Sequence, residues 1–529
     1  MHKNHFLRTL FFLTGYFILA GLYSFIEYPD KLANSRQGLN STESQPPKKI
    51  NILFLMADQY RGDCIGAAGA DYVTTPNLDR LAKEGILFTR AYSSVPSCTP
   101  ARTSILTGMS PWKSGQIGYS NIPNYPIEGP AIFSANGYRT HAVGKNHFYP
   151  MRNKHGYQEV ELEEGWYTTN KGHEVCDYTL YFQKNAPGKN INEIGLSYND
   201  LRGGRVFPFE EFLHPTYWTA DRAVQFLKNH SKEEPWLLKV SFQRPHSPLD
   251  PPKRFLNSID TNKIPMPCIG EWAQKKYGKN IGVMETDPNA SNGVFPESEI
   301  KETRKSYYEA IAYVDDQLGR VIEALRKSGE LENTLILFTS DHGDMMGDHY
   351  MWRKCRPYEG STRIPMIVRW PSALGLKAKR GQISTALVEL RDVFPTFLDA
   401  SGIKIPDVMD GRSMLEILRG NRWRTQLEME HAQIYEPDNA WVAITDNKYK
   451  YVYFTLTGAE QLFDLENDPQ EITELVTSTS PPKKVLAEYR IKMVNYLKER
   501  GEEWVRDDHL VVQDKPIYTG INRPKTERY

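Results

Sequence analysis

The chain has 529 residues, of which 40% are hydrophobic, so it is long enough to bury a large core and to form one large domain with a smaller one. Lysine and arginine together number 65, as do aspartate and glutamate, so the charge balance gives no sign of a polyanion-binding surface and argues against a nucleic-acid partner. The five cysteines form no CxxC pair, which argues against a zinc ribbon or a thioredoxin-like site.

The first 30 residues have the features of an export signal. A short basic region precedes an uncharged apolar run of about 17 residues, which suits a signal peptide and is shorter than the roughly 20 residues of a membrane-spanning helix. We predict a signal peptide in residues 1–30, with a retained membrane anchor as the alternative. Residues 31–48 are polar and contain two prolines, which predicts a linker ahead of a folded domain. The protein is therefore expected to be periplasmic or secreted.

Four short apolar runs, at residues 50–57, 139–144, 236–242 and 334–340, end abruptly in polar residues. The side chains that follow them are Asp58 and Gln59, Lys145 and His147, His246, and Asp341 and His342. Such runs are typical of strands buried in a parallel sheet, and ligands of these sheets bind beyond the carboxyl ends of the strands. We therefore predict that these side chains converge at one edge of a sheet.

Helical patterns lie between the apolar runs, at residues 75–85, 217–230, 302–328 and 389–402. The alternation predicts an α/β fold, a large and mostly parallel sheet sandwiched by helices, which we assign as a catalytic domain over residues 49–420. Residues 421–529 change to short strands and an amphipathic helix, which predicts a smaller C-terminal antiparallel sheet with one packed helix. Residues 152–206 show no periodicity and are predicted to be loops around a site.

The segment SVPSCTPARTSILTG, residues 94–108, places a cysteine where a loop is predicted to become a helix. Pro100 suits the first turn of a helix, so Cys98 is expected at the helix N-terminus, where the helix dipole stabilises negative charge. A Cys-x-Pro-x-Arg match is expected by chance only about 0.02 times in a chain of this length. The pattern therefore indicates a functional cysteine. The four other cysteines are compatible with two disulfides or with buried thiols.

This segment resembles the signature of the type I sulfatases of the alkaline phosphatase superfamily. The resemblance covers roughly residues 49 to 470 through motifs in the family's order, namely ADQ at 57–59, TPNLDRLAKEG at 75–85, GK-x-H at 144–147, PHSP at 245–248, SDHGD at 340–344 and LFDLENDPQE at 462–471. It implies that a formylglycine-generating maturation enzyme oxidises Cys98 to Cα-formylglycine. The hydrate of that aldehyde has two hydroxyl groups, one to attack sulfur and one to expel sulfate afterwards, which a thiol lacks.

The same resemblance implies roles for five further residues. Arg102 and Lys145 would hold the sulfate charge and the oxygens at position 98. His147 would take a proton as sulfate is released. His246 and Lys354 would bind sulfate and help to protonate the leaving oxygen.

A single divalent cation is predicted between two strand ends. Asp58 with Gln59, and Asp341 with His342, supply mostly hard oxygen donors, and the resemblance adds Cys98 and implies Ca²⁺. Gln59 stands where the family more often has a second aspartate, which lowers the negative charge of the site. His342 stands where many relatives have asparagine, and imidazole is a weaker ligand for a hard cation.

The sequence therefore predicts an exported, calcium-dependent sulfatase. Because sulfated polysaccharides are extracellular, the expected substrate is a sulfated carbohydrate, either a glycosaminoglycan or an algal polysaccharide such as ulvan. One alternative is a phosphonate monoester or phosphodiester hydrolase on the same scaffold. Another is a non-catalytic protein that binds sulfated glycans, although such a protein would not need the proton-transfer residues.

Overall fold

The computed structural model describes residues 49–165 and 175–522, and all of these belong to one compact unit. The predicted signal peptide and linker, residues 1–48, lie outside the described residues. In the described ranges, no helix has both the length and the apolar character needed to cross a membrane.

A large sheet of nine strands is the centre of the described structure. In chain order its strands are β1 (Asn51–Asp58), β2 (Ile86–Tyr92), β3 (Arg139–Gly144), β4 (Glu159–Leu162), β5 (Trp236–Pro245), β6 (Thr334–Ser340), β7 (Arg363–Arg369), β8 (Gln382–Ser384) and β9 (Val388–Glu389). Their spatial order is β4-β3-β5-β1-β6-β7-β2-β8, with β9 also beside β2. Strand β7 is antiparallel to both of its neighbours, and the other pairs are parallel. The predicted mostly parallel sheet is confirmed.

Helices pack on both faces of this sheet. In chain order the α-helices of the described residues are α1 (Pro76–Glu84), α2 (Cys98–Thr107), α3 (Pro111–Ser114), α4 (Gly129–Ala135), α5 (Asp177–Asn185), α6 (Pro215–Asn229), α7 (Glu271–Tyr277), α8 (Glu297–Lys327), α9 (Glu359–Thr362), α10 (Val393–Ala400), α11 (Leu415–Arg419) and α12 (Lys483–Leu497). Helices α1, α6 and α8 contribute to one core, whereas α2, α4, α10 and α11 contribute to the other.

The central strand β1 shows why its sequence is an unbroken apolar run. Leu53 and Leu55 belong to the first core, and Ile52 and Phe54 belong to the second. All eight residues of β1 are buried. A strand covered on both faces has no polar face, so apolar and polar residues do not alternate along it.

The four strands predicted from the sequence are immediate neighbours, in the order β3-β5-β1-β6. Their carboxyl ends are level, because Asp58 pairs with Pro245 and Ala57 pairs with Ser340. Gly144, the last residue of β3, pairs with Ser241, which also pairs with Met56 near the end of β1. The polar residues that follow the strands therefore meet at one edge, as predicted.

Two helices begin earlier than the pattern predicted, each for a local reason. Helix α8 begins at Glu297, directly after Pro296, and carries two glutamates in its first turn, where the helix dipole favours them. Helix α6 begins at Pro215, and the His214 side chain accepts a hydrogen bond from the Thr216 N–H. The predicted helix at 389–402 is a 3₁₀ turn followed by α10.

The prediction that residues 152–206 are loops is wrong in part, because β4 and α5 lie there, joined to further irregular segments.

The C-terminal prediction is confirmed by an antiparallel sheet of β10 (Leu427–His431), β11 (Trp441–Thr445), β12 (Tyr449–Phe454) and β13 (Glu460–Asp464). Helix α12 packs on it, and a hairpin of β14 (Val505–Arg506) and β15 (His509–Leu510) follows. None of the five cysteines, all of which lie in the described ranges, is disulfide-bonded in the structure.

Candidate active site

Cys98 is the first residue of α2 and is 1% exposed. Ser97 before it has extended backbone, and its hydroxyl lies 2.7 Å from His431 Nε2. The side chain at position 98 therefore lies at the positive end of the helix, as the sequence predicted.

Two lysines and a histidine surround the Cys98 sulfur. Lys354 Nζ lies 2.9 Å from Sγ, His342 Nε2 lies 3.2 Å away and Lys145 Nζ lies 3.9 Å away. Burial raises the pKa of the Cys98 thiol, but its polar neighbours, above all Lys145 and Lys354, outweigh burial and hold the pKa well below its ordinary value. The pocket therefore stabilises negative charge on whatever atom occupies this position.

Two fully buried carboxylates, Asp58 and Asp341, lie beside this pocket. Lys145 Nζ is 2.6 Å from Asp58 Oδ2, and Arg102 reaches Oδ2 of both carboxylates, at 3.1 Å for Asp58 and 2.9 Å for Asp341. Burial raises the pKa of Asp341, and the charge of Asp58 adds to this effect. Burial also raises the pKa of Asp58, but nearby cations, Lys145 first among them, hold it below its ordinary value.

The remaining carboxylate oxygens face His342 and Cys98. His342 Nε2 lies 3.5 Å from Asp58 Oδ1 and 3.7 Å from Asp341 Oδ1. One ligand atom from each of Asp58, Cys98, Asp341 and His342 falls within 4.8 Å of all the others. Calcium–oxygen distances of about 2.3–2.6 Å place ligands on opposite sides of the ion about 5 Å apart, so this cluster fits a divalent cation.

The orientation of His342 also suits a metal ligand. Its Nδ1 lies 2.9 Å from the Gly343 carbonyl oxygen, and a hydrogen bond there places the proton on Nδ1 and leaves the Nε2 lone pair facing the cluster.

Gln59, the remaining predicted ligand, bonds to two other side chains. Its Oε1 accepts a hydrogen bond from Lys354 Nζ at 3.0 Å, and its Nε2 donates to Asp344 Oδ2 at 2.6 Å. The amide therefore orients Lys354 towards Cys98, and metal ligation by Gln59 stays a prediction. Its backbone is left-handed, with φ of 63°, a conformation that costs energy for a side chain other than glycine.

His147 is held at the mouth of the site by Glu164. Its backbone N–H donates to both Glu164 carboxylate oxygens, at 3.0 and 3.2 Å, and its φ of 56° is also left-handed. The ring interacts with Cys98, while its Nδ1 is buried without a hydrogen-bond partner in the described residues. A histidine ring that contacts position 98 lies where the predicted proton acceptor is needed.

His246 is fully buried behind the same pocket. Its Nδ1 lies 2.9 Å from the Ser247 carbonyl oxygen, whereas its Nε2 has no hydrogen-bond partner among the described residues. Burial, together with Lys354 and Lys145, lowers its pKa to about 3. A bound sulfate would oppose the two lysines and raise this pKa, which is the direction that the predicted proton-donating role of His246 requires.

Sequence reasoning missed Tyr198 and Glu164. The Tyr198 hydroxyl lies 2.5 Å from Lys145 Nζ, and its ring centre lies 4.5 Å from that of His246. Both residues come from the aperiodic stretch at 152–206, where no pattern distinguishes them from their neighbours in the sequence.

The structure brings every predicted site residue into one connected cluster. Arg102 binds the two carboxylates and also donates to the Lys145 carbonyl oxygen at 2.5 Å, so it fixes the positions of other groups in the site. Its predicted contact with sulfate, like the roles of the histidines and lysines, stays a prediction.

Two family models match the chain. The model described as Sulfatase matches residues 50–403, and the model described as N-sulphoglucosamine sulphohydrolase, C-terminal, matches residues 347–499.

The chain is also similar to three named proteins and to one solved structure. The chain is 39% identical to an arylsulfatase of Clostridium perfringens, over 89% of this chain and 99% of the relative. It is 32% identical to a choline-sulfatase of Rhizobium meliloti, over 82% and 84%, and 28% identical to an ulvan-active sulfatase of Formosa agariphila, over 93% and 90%. The crystal structure of a phosphonate monoester hydrolase of Agrobacterium radiobacter superposes with a TM-score of 0.71 at 24% identity, covering 89% of this chain and 99% of that one. At that identity the structure shows the fold alone.

Proposed function

This chain belongs to the sulfatase family of the alkaline phosphatase superfamily and is a sulfuric ester hydrolase, and we propose that it is an exported, calcium-dependent enzyme that removes sulfate from a sulfated carbohydrate. The observation that carries the proposal is the arrangement around Cys98, where a helix N-terminus, two lysines and the Oδ1 atoms of two buried aspartates meet. Such a site stabilises both an anionic nucleophile and an anionic substrate.

Five residues around position 98 have separate roles in the proposed reaction. Lys354 and Lys145 are placed to bind sulfate oxygens beside position 98, because the Nζ atoms of both lie within 4 Å of Sγ, at 2.9 and 3.9 Å. His147 would accept a proton near position 98, and His246 would donate one to the leaving oxygen. Arg102 would hold Asp58 and Asp341 in place throughout.

The proposed reaction also needs two groups that the encoded side chains do not supply, a modified residue at position 98 and a metal ion. A Cα-formylglycine at position 98, formed by a maturation enzyme, would supply a hydrated aldehyde as the nucleophile. Asp58, Asp341, His342 and Gln59 would hold Ca²⁺ beside that position, where the ion would act as a Lewis acid. The oxygen donors of the cluster and the like charges of the two aspartates support a cation there.

The carbohydrate substrate and the export of the protein rest on two observations. The N-terminal 30 residues have the pattern of an export signal. A relative that matches 93% of the chain is named an ulvan-active sulfatase. His147 and His246 each have a ring nitrogen without a hydrogen-bond partner in the described part of the chain, which argues against a non-catalytic binding protein because binding alone does not require them.

A comparison of two small substrates tests the reaction class. We expect kcat/KM for an aryl sulfate to exceed that for the matching aryl phosphonate monoester by at least about tenfold. Both esters carry one negative charge, so the comparison reports on the reacting atom instead of on overall charge. A preference for the phosphonate would instead support the phosphonate monoester hydrolase alternative.

A further inference from the structure

Arg353, next to Lys354, is a buried cation that the proposed reaction does not use. The residue is 6% exposed, and its Nε and Nη2 are buried without a hydrogen-bond partner in residues 49–165 and 175–522. Among the residues that the structure describes, no carboxylate forms an ion pair with Arg353 or with Lys354. Buried arginines are normally paired, because removing a charge from water is costly unless an opposite charge replaces the water.

Arg356, three residues further on, shows the normal case. Its guanidinium forms an ion pair with Glu436. Arg353 and Arg356 lie near the same aromatic ring, that of Tyr435, at 5.7 and 5.8 Å from its centre. The two arginines therefore share a ring and differ in that only Arg356 has a carboxylate partner within the described part of the chain.

Tyr435 connects Arg353 to the reaction centre. Burial raises the pKa of its phenol and Cys355 adds to this effect, whereas the charges of Lys354 and Arg353 oppose it. Cys98 also acts on the phenol, in the same direction as burial. Arg353 and Cys355, on either side of Lys354, have left-handed backbone, with φ of 65° and 66°. Such conformations are costly outside glycine and are found where a site requires particular side-chain positions.

The charges beside Cys98 point to a substrate with more than one negative group. A sulfate monoester carries a single negative charge, and Lys354 Nζ, which has no carboxylate partner in the described residues, lies 2.9 Å from Cys98 Sγ. One sulfate paired with Lys354 leaves Arg353 without a counter-ion. Asp344, which is close by in the chain, already accepts hydrogen bonds from Gln59 and from the backbone N–H of Arg353.

We propose that Arg353, held against the Tyr435 ring, binds a second anionic group of the substrate, so that the enzyme prefers sulfated carbohydrates that carry a further sulfate or a carboxylate. This inference rests on the proposed sulfatase function and deepens it. A guanidinium suits the task because its planar N–H groups match the oxygens of either anion. The same cation would disfavour a substrate with a positive group, such as choline sulfate.

The test compares substrates that differ only in the second group. The set is a monosulfated disaccharide, the same disaccharide with a second sulfate, and the same disaccharide with a uronic carboxylate, with choline sulfate as the cationic case. Arg353→Gln is expected to lower kcat/KM for the two dianionic sugars by about 10- to 100-fold, mainly through KM, and to lower it much less for the monosulfated sugar. Arg353→Lys should restore part of the loss, and choline sulfate should become a relatively better substrate for Arg353→Gln. The relative effects of the two dianions distinguish sulfate from carboxylate recognition.

Arg320→Gln is the matched control, because Arg320 also lies over a tyrosine ring, that of Tyr217 at 4.1 Å, on α8. It should leave the ratios between substrates unchanged. If Arg353→Gln does not fold, Arg353→Lys and calorimetric binding of the dianionic sugars to Cys98→Ala protein, with and without Arg353→Lys, supply the same comparison. An equal loss on all substrates would overturn the second-anion site alone. A wild-type enzyme that hydrolyses no sulfate ester would overturn the proposed function with it.

Discussion

Replacing Cys98 by alanine is expected to abolish sulfate ester hydrolysis, with a loss of more than about 10⁴-fold in kcat, because the nucleophile is built on this side chain. The fold should persist, because the substitution removes one sulfur atom at the start of α2 and leaves the backbone hydrogen bond from Ala101 N–H to Ser97 in place. Steady-state hydrolysis of an aryl sulfate measures the loss, and circular dichroism and thermal unfolding check the fold.

Cys64→Ala is the control for this variant. Cys64 is a fully buried thiol in the core that includes α1 and α8, and the proposed reaction does not use it. Replacing Cys64 removes a buried sulfur atom, so it should lower the free energy of unfolding by about 1–2 kcal/mol and leave kcat unchanged. Near-normal turnover by Cys98→Ala, with the control behaving as expected, would refute the assignment of the nucleophile.

Replacing Asp341 by asparagine is expected to remove calcium binding and to lower kcat by at least about 100-fold. Asp341 Oδ1 accepts hydrogen bonds from the backbone N–H groups of Gln59 and His342, and Oδ2 accepts one from Arg102. Asparagine cannot accept at both positions, and it removes one of the two charges that a cation would neutralise. Elemental analysis of the purified protein and the unfolding midpoint with and without CaCl₂ measure the effect.

In the wild type, Ca²⁺ at a hundred times its dissociation constant should stabilise the fold by about 2.7 kcal/mol, and chelation should reversibly reduce activity. Asp348→Asn is the matched control, because Asp348 is also a buried carboxylate and pairs with Arg61 and Arg304 outside the metal cluster. It should lose about 3–5 kcal/mol of stability yet keep the calcium response. A wild type without bound metal and indifferent to chelators would contradict the calcium site.

The fold is predictable from the sequence where the physics is local or repetitive. The apolar runs of β1 and β6 are unbroken because both faces of each strand are covered, and that pattern distinguishes a parallel sheet from an antiparallel one. The carboxyl ends of parallel strands meet at one edge of a sheet, so the apolar runs that precede Asp58, Lys145 and Asp341 are enough to predict that these residues converge. The N-terminal position of Cys98 follows from Pro100 alone.

The features that the sequence could not predict depend on which residues from distant parts of the chain meet. Tyr198 contacts Lys145 from a stretch without periodicity, and it is Arg356, not Arg353, that lies close enough to Glu436 to pair with it. The resemblance assigned Arg102 to the sulfate, whereas its hydrogen bonds in the structure include those to two carboxylates and a carbonyl oxygen. Side-chain pairing of this kind is fixed by tertiary packing and leaves no signal in spacing or composition.

The central claim is that position 98 is converted to formylglycine in the active enzyme, and the mass of the tryptic peptide 91–102 tests it most directly. Cleavage after Arg90 and Arg102 isolates Cys98 as the only cysteine of that peptide. In protein that hydrolyses aryl sulfates, we expect a peptide mass in which the thiol has been replaced by an aldehyde oxygen, together with a product of reaction with a hydrazine reagent. A fully active preparation whose peptide carries only the unmodified thiol would contradict it.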